Sequence, residues 1–157
     1  MIDSFLKISK LKYMKEIAKY SGCFICGEKN SIGLKSRFYF TGEKAITDVV
    51  AEKQYEGYLG IYHGGITAAL LDEVMIKALL AREIYALTVE LTVRFQKAIR
   101  IGQKLHFEGY LELQKGRLFE TRGKVMVESG DVVASASGKY LRVDGDMRME
   151  LMESLEP

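Results

Sequence analysis

The spacing of hydrophobic positions changes several times along the chain. Phe5, Ile8, Leu11, Met14, Ile17 and Ala18 recur at intervals of three and four with lysines on the opposite face, which predicts an amphipathic helix over residues 3–20. In Leu34 to Phe40 and Ala45 to Ala51 alternate residues share a face on either side of TGEK, the pattern of a hairpin. Between Gly64 and Ala81 only Thr67, Asp72, Glu73 and Lys77 are polar, and a helix apolar nearly all round is a buried one. After it the period falls to two: Leu87, Val89, Leu91, Val93 and Phe95 alternate with Thr88, Glu90, Thr92, Arg94 and Gln96. Three more strand-like runs follow, KLHFEGYLELQ, RLFETRGKVMVES and VVASASGKYLRV, separated by KG and SGD turns.

One long apolar helix beside five or six antiparallel strands is an α+β pattern, in which the sheet must curl around the helix to cover both apolar surfaces. No linker, repeat or low-complexity segment divides residues 1–157, so a single domain is expected. Residues 1–20 add the N-terminal helix, whose mixed charge favours packing on its own domain over lying on a membrane. Residues 144–157 form a tail, read either as a short helix or as a frayed end.

Composition narrows the function classes. At 157 residues, 48% hydrophobic and 28% charged, the chain is long enough to bury a core. A net charge of +2, with 23 basic residues interleaved among 21 acidic ones, argues against a nucleic-acid binder and leaves any anionic ligand to be met locally. No apolar run approaches the roughly 20 residues that span a bilayer, and the N-terminus lacks a signal peptide's continuous apolar segment, so a cytoplasmic protein with no membrane partner is expected. Both cysteines lie in CFICG, as Cys23 and Cys26. Zinc would need about four ligands, and His63 and His106 lack the second paired spacing. A thioredoxin-type pair would open a helix after a strand, whereas Gly27, Asn30 and Gly33 mark turns. The favoured reading is two reduced thiols packing a loop, with no metal.

The long helix raises a question of its own, because its residues at three and four positions from Asp72 are Ala68, Ala69, Met75 and Ile76, none able to satisfy a carboxylate. Periodicity leaves two placements: a water-facing edge beside Glu73, or burial against a partner from elsewhere, which would suit a general base or nucleophile. Glu73 and Lys77, four apart, are expected to pair along a solvent-facing edge. Gly64 and Gly65 open the helix, where backbone N–H groups lack intrahelical partners and the macrodipole is positive, a fit for a carbonyl oxygen that becomes an oxyanion. His63, just outside, either donates a hydrogen bond or caps the helix. Asp72 is nine residues beyond His63, roughly 13 Å along the axis, which points to a dimer in which the acid serves the gate of a second copy.

On HGGITAALLDEVM, LTVELTVRFQKAIRIGQKL and GDVVASASGKYL, the chain resembles the hotdog-fold acyl-CoA thioesterases, in particular the PaaI-like branch of the 4-hydroxybenzoyl-CoA thioesterase superfamily. The resemblance covers roughly Cys23 to Val143, and CFICGEKNSIGL is similar to a segment that precedes the first strand in many members. It implies a hotdog fold, with the central helix wrapped by the sheet, and two protomers building two sites. It further implies that Gly64 polarises the thioester carbonyl, that His63 orients this end of the site with Gly65 beside it, and that Asp72 of the partner chain attacks the carbonyl or activates water. Many relatives carry Ser or Thr about one turn after the acid, where this chain has Ile76. Arg94, Lys97, Arg100, Lys115 and Arg117 are the candidate cations for the phosphates of coenzyme A, and Ser137 lies in a small-residue stretch suited to its pantetheine arm. Pocket length is expected to depend on the packing of Tyr55, Tyr58, Tyr62 and Met75.

The expected function is hydrolysis of a small or medium acyl or aryl thioester by a homo-oligomer, dimer or tetramer, with coenzyme A as part of the substrate and no other cofactor. A non-catalytic acyl-CoA-binding sensor on the same fold is the first alternative. A dehydratase or hydratase of related fold, which would need a His paired with an acid, is the second.

Overall fold

Five long strands and one buried helix form the body of the fold in a computed structural model that describes residues 14–156. In order the elements are β1 (Lys15–Glu16), β2 (Lys19–Tyr20), β3 (Tyr39–Phe40), β4 (Ala45–Val50), α1 (Gly64–Leu80), β5 (Ala86–Phe95), β6 (Lys104–Lys115), β7 (Leu118–Val127), β8 (Val132–Arg142), α2 (Gly145–Glu153) and β9 (Leu155–Glu156). Antiparallel pairing arranges seven strands as β1-β3-β4-β6-β7-β8-β5. This is the expected α+β hotdog architecture, with two short strands, β1 and β3, extending the five long ones.

Helix α1 packs against β4 through β8. Leu70, Leu71, Val74, Met75, Ala78 and Leu79 have no exposed surface, so the apolar run is the core, each large side chain contributing about 1.5–3 kcal/mol by leaving water. The helix lies close to the sheet because Gly109 and Gly123 face each other across β6 and β7. A Cβ on Gly109 would stand 2.5 Å from the carbonyl oxygen of Val74, so only glycine lets helix backbone rest there.

The N-terminal helix expected over residues 3–20 is not formed in its described part, and residues 1–13 lie outside the described residues. Residues 14–20 are instead caught by two open strand edges: Lys15 and Glu16 pair with Phe40 and Tyr39, while Lys19 and Tyr20 pair with Glu156 and Leu155. Ladder bonds and burial of Ile17, 5% exposed, outweigh the weak intrinsic preference of a short helical pattern. The tail is therefore a short helix, α2, followed by a strand that ties it to β2.

This crossing also corrects the expectation for Lys77. It is 1% exposed, with Nζ donating to the Ala18 carbonyl at 2.5 Å and lying 3.6 Å from Glu73. The rings of Tyr20 and Phe38 are centred 5.4 and 5.8 Å from the ammonium. The Glu73–Lys77 pair is thus internal rather than solvent-facing.

Strand β5 closes the far edge of the sheet and, among the described residues, pairs only with β8. Its register shifts between Thr88 and Glu90, so the alternation read from the sequence breaks there. Leu91, Val93 and Phe95 keep their face; Leu87 and Val89 are exposed, and Thr88 turns toward α1. Among the described residues no helix is long and apolar enough to cross a membrane.

Candidate active site

The start of α1 is built by His63. Its extended backbone (φ −64°, ψ 128°) precedes the helix, and its Nδ1 accepts a 2.9 Å hydrogen bond from Gly65 N–H. An accepting Nδ1 leaves the ring proton on Nε2. Of the two N–H groups expected to be bare, Gly65's is therefore capped, and Gly64's has no hydrogen-bond partner among the described residues. That donor sits at the positive end of α1, on an open cavity of about 960 Å³ lined by Tyr58, Tyr62, His63, Gly64, Phe95 and Lys97. Met75, expected to help set pocket length, is fully buried against Gly123 instead.

Asp72 meets partners from the sheet. Its Oδ1 accepts from Tyr140 Oη at 2.8 Å and from Thr88 Oγ1 at 3.1 Å, while Thr88 stands 3.3 Å from Oδ2. Tyr140 and Thr88 are cross-strand partners on β8 and β5, so one register pair holds the carboxylate. Tyr140 is wholly buried, and burial first, then the negative charge of Asp72, push its phenol well above the ordinary range. The hydroxyl is fixed as a donor. The ring needs Gly138: a Cβ there would lie 2.5 Å from the tyrosine ring. Asp72 itself is half-buried, between the two placements left open by periodicity.

The candidate cations do not converge within the chain. Lys97 lines the cavity, paired with Asp131 at 3.0 Å, and Arg100 is bridged to Ile61 beside it. Arg94 and Ser137 alternate with Phe95 and Ala136, which places them on the face turned away from α1. Arg117, held by Asp144 at 3.4 Å and by the Arg142 carbonyl, is at the other end of β8, roughly 23 Å along the strand from the position paired with Phe95.

A second polar group lies behind the helix. Donor atoms of Cys23, Cys26 and Glu73 all fall within 4.8 Å of one another, the one such group of metal-capable side chains among the described residues. Cys26 is fully buried and Cys23 half-buried. Burial pushes the Glu73 carboxyl up to about 7. His106 stands apart, bonded to Asp48 at 2.6 Å.

Two residues of the site escape sequence reasoning. Simple alternation puts Thr88 on the outward face, and the bulge interrupts that alternation. Tyr140 carries a signal in retrospect: it follows Gly138 by two on one face of β8, a small residue making room for a large one.

Residues 59–134 match the family model described as the thioesterase superfamily. Over 77 residues the chain is 30% identical to acyl-coenzyme A thioesterase 13 of Mus musculus, covering 48% of this chain and 54% of that protein, so the chain spans about half the length of that relative. A solved thioesterase superfamily protein, RHA08564, superposes with a TM-score of 0.73 at 21% identity, over 89% of this chain and 73% of the other. A variant of the phenylacetic acid degradation protein PaaI from Thermus thermophilus gives 0.60 at 21% identity, over 64% and 85%. At these identities the structural likeness establishes the fold.

Proposed function

We propose that this chain, which has the hotdog fold and matches the thioesterase superfamily model over residues 59–134, is an acyl-CoA thioesterase acting on a small or medium acyl or aryl thioester. The observation that carries the reading is the free N–H of Gly64 at the positive end of a buried helix, open to a cavity, on the same helix as a carboxylate held by two hydroxyls. The similarity to a mouse acyl-coenzyme A thioesterase supports the substrate class.

In this reading the thioester carbonyl accepts from Gly64 N–H, which stabilises the oxyanion as the carbon becomes tetrahedral. Asp72 supplies the other half, attacking the carbonyl or taking a proton from the attacking water, and collapse of the intermediate expels the thiolate of coenzyme A. Coenzyme A is part of the substrate, and the chemistry needs no resident cofactor. His63 presents Nε2–H beside the carbonyl, with its ring held by Gly65. Thr88, bonded to Asp72, supplies the hydroxyl missing at Ile76 for positioning water.

Gly64 and Asp72 are eight residues apart, about 12 Å along one helix, too far for one chain to close on a carbonyl. We therefore place the site between two copies joined along β5, a long edge strand with Leu87, Val89 and Phe95 43–57% exposed. Lys97 and Arg100 are the cations beside the cavity; Arg94, Arg117 and Ser137 contribute only if a neighbouring copy brings them to it. A dehydratase reading is disfavoured, since His63 Nδ1 is taken up by the Gly65 N–H and Nε2 carries the proton, which leaves neither ring nitrogen free as a base.

The test is a panel of acyl- and aryl-CoA substrates, with release of free thiol as the readout. Turnover of at least one class supports the proposal. Binding across the panel without turnover overturns it in favour of a sensor.

A further inference from the structure

Behind the active-site helix, Cys23 and Cys26 sit in surroundings that packing alone does not explain. The Cys23 sulfur accepts from the N–H groups of Ile25 at 3.3 Å and Cys26 at 3.5 Å, and lies 3.9 Å from both carboxylate oxygens of Glu73. Lys77, buried and 3.6 Å from Glu73, adds a positive charge, and Tyr20 covers that ammonium. Of the two thiols, the half-exposed one carries the amide bonds and the other is sealed beneath it.

We propose that Cys23 and Cys26 form a reactive dithiol: Cys23 attacks low-molecular-weight disulfides such as oxidised glutathione, and Cys26 resolves the product to an intramolecular disulfide, with Glu73 as proton acceptor. In the first step the Cys23 thiolate displaces one thiolate from the disulfide and forms a mixed disulfide. In the second, Cys26 gives its proton to Glu73, and its sulfur attacks that of Cys23, expelling the second thiolate. The pair is oxidised by two electrons and the small disulfide is reduced to two thiols.

The electrostatics agree. The hydrogen bond from Cys26, then the amide N–H groups, with Lys77 adding charge, pull the Cys23 thiol well below the usual thiol range, while the hydrogen bond to Cys23 and burial push Cys26 up. Glu73, near 7, accepts a proton at neutral pH. A metal is the competing occupant of these three donors. The neighbouring Lys77 supplies positive charge where a cation needs negative, and the set stops at three among the described residues.

The experiment is intact-mass analysis of the folded protein after exposure to oxidised glutathione. The wild type is expected to lose two hydrogens and carry no adduct; Cys26→Ser is expected to trap one glutathione on Cys23, and Cys23→Ser to stay unmodified. An unmodified wild type, or one bearing a stable adduct, overturns the proposal, as does stoichiometric zinc that shields both thiols. Should either variant fail to fold, iodoacetamide labelling of the wild type decides. Cys23 is expected to react before Cys26, at nearly the same rate at pH 6 and pH 8, whereas an ordinary thiol would gain close to tenfold per pH unit over that range.

Discussion

The phenol of Tyr140 donates a 2.8 Å hydrogen bond to Asp72 Oδ1, and its cross-strand partner Thr88 reaches the same carboxylate at 3.1 Å. An acid on a largely apolar helix is thus aimed by the sheet that wraps it. Asp72→Asn keeps the shape and loses the charge. It is expected to lower kcat on acyl-CoA by about 10²-fold or more, as removal of a general base or nucleophile does, with little change in melting temperature. Full activity in this variant would exclude Asp72 from the mechanism.

Tyr140→Phe separates positioning from chemistry. The ring stays over Gly138 while the donor is lost, leaving Thr88 alone on the carboxylate. The expected outcome is a kcat about tenfold lower with KM nearly unchanged, and a stability loss of about 1 kcal/mol. Steady-state kinetics beside thermal unfolding check both; a change confined to KM would place Tyr140 in substrate binding instead.

What is legible in the sequence follows from which forces act locally. Helix α1 can be read because burial on all sides leaves so few polar residues in it, and β6 to β8 because alternation and KG and SGD turns are local signals. The His-Gly-Gly gate and its distance from Asp72 are readable for the same reason. Lys77 is misplaced by sequence reasoning because its surroundings come from Ala18, Tyr20 and Phe38, which α1 alone gives no hint of. Residues 15–20 themselves read as helix, since the edges that capture them lie at positions 39–40 and 155–156. Thr88 is hidden by one inserted residue: a bulge at Val89 reverses the faces upstream of it, and no composition signal marks the spot.

Gly138→Ala tests the room made for Tyr140. A Cβ 2.5 Å from the ring forces the tyrosine to move, and the expected cost is about 1–3 kcal/mol, seen as a lower denaturation midpoint, together with reduced kcat because Asp72 loses its donor. In a Tyr140→Leu background the same substitution should cost markedly less. Equal costs in the two backgrounds would show that the glycine serves something other than the tyrosine.

Lys77→Met leaves Glu73 buried without its cation and is expected to destabilise the protein by about 3 kcal/mol. Adding Glu73→Leu removes the stranded carboxyl, so the double variant should recover most of that loss. Chemical denaturation of the three variants decides. A double variant no more stable than Lys77→Met would mean that the bond from Lys77 to the Ala18 carbonyl, rather than the ion pair, is what matters.

Composite sites make the sharpest prediction. Gly64 is the first residue of α1, a position where proline is well tolerated, and the extended backbone of His63 is the conformation a following proline prefers. Gly64→Pro therefore deletes the free N–H while preserving the helix, and is expected to cut kcat by about 10²–10³-fold without loss of stability. Mixed with Asp72→Asn, it tests the pairing of chains directly. In a heterodimer one site combines the intact gate of one copy with the intact acid of the other, and the second site has neither. Random exchange of subunits at equal amounts should thus restore about a quarter of the wild-type activity from two nearly inactive proteins. Recovery that appears only after subunits exchange, and fails when Leu87→Lys and Val89→Lys disrupt the β5 edge, is the expected result. A mixture that stays inactive after verified exchange would confine each site to a single chain.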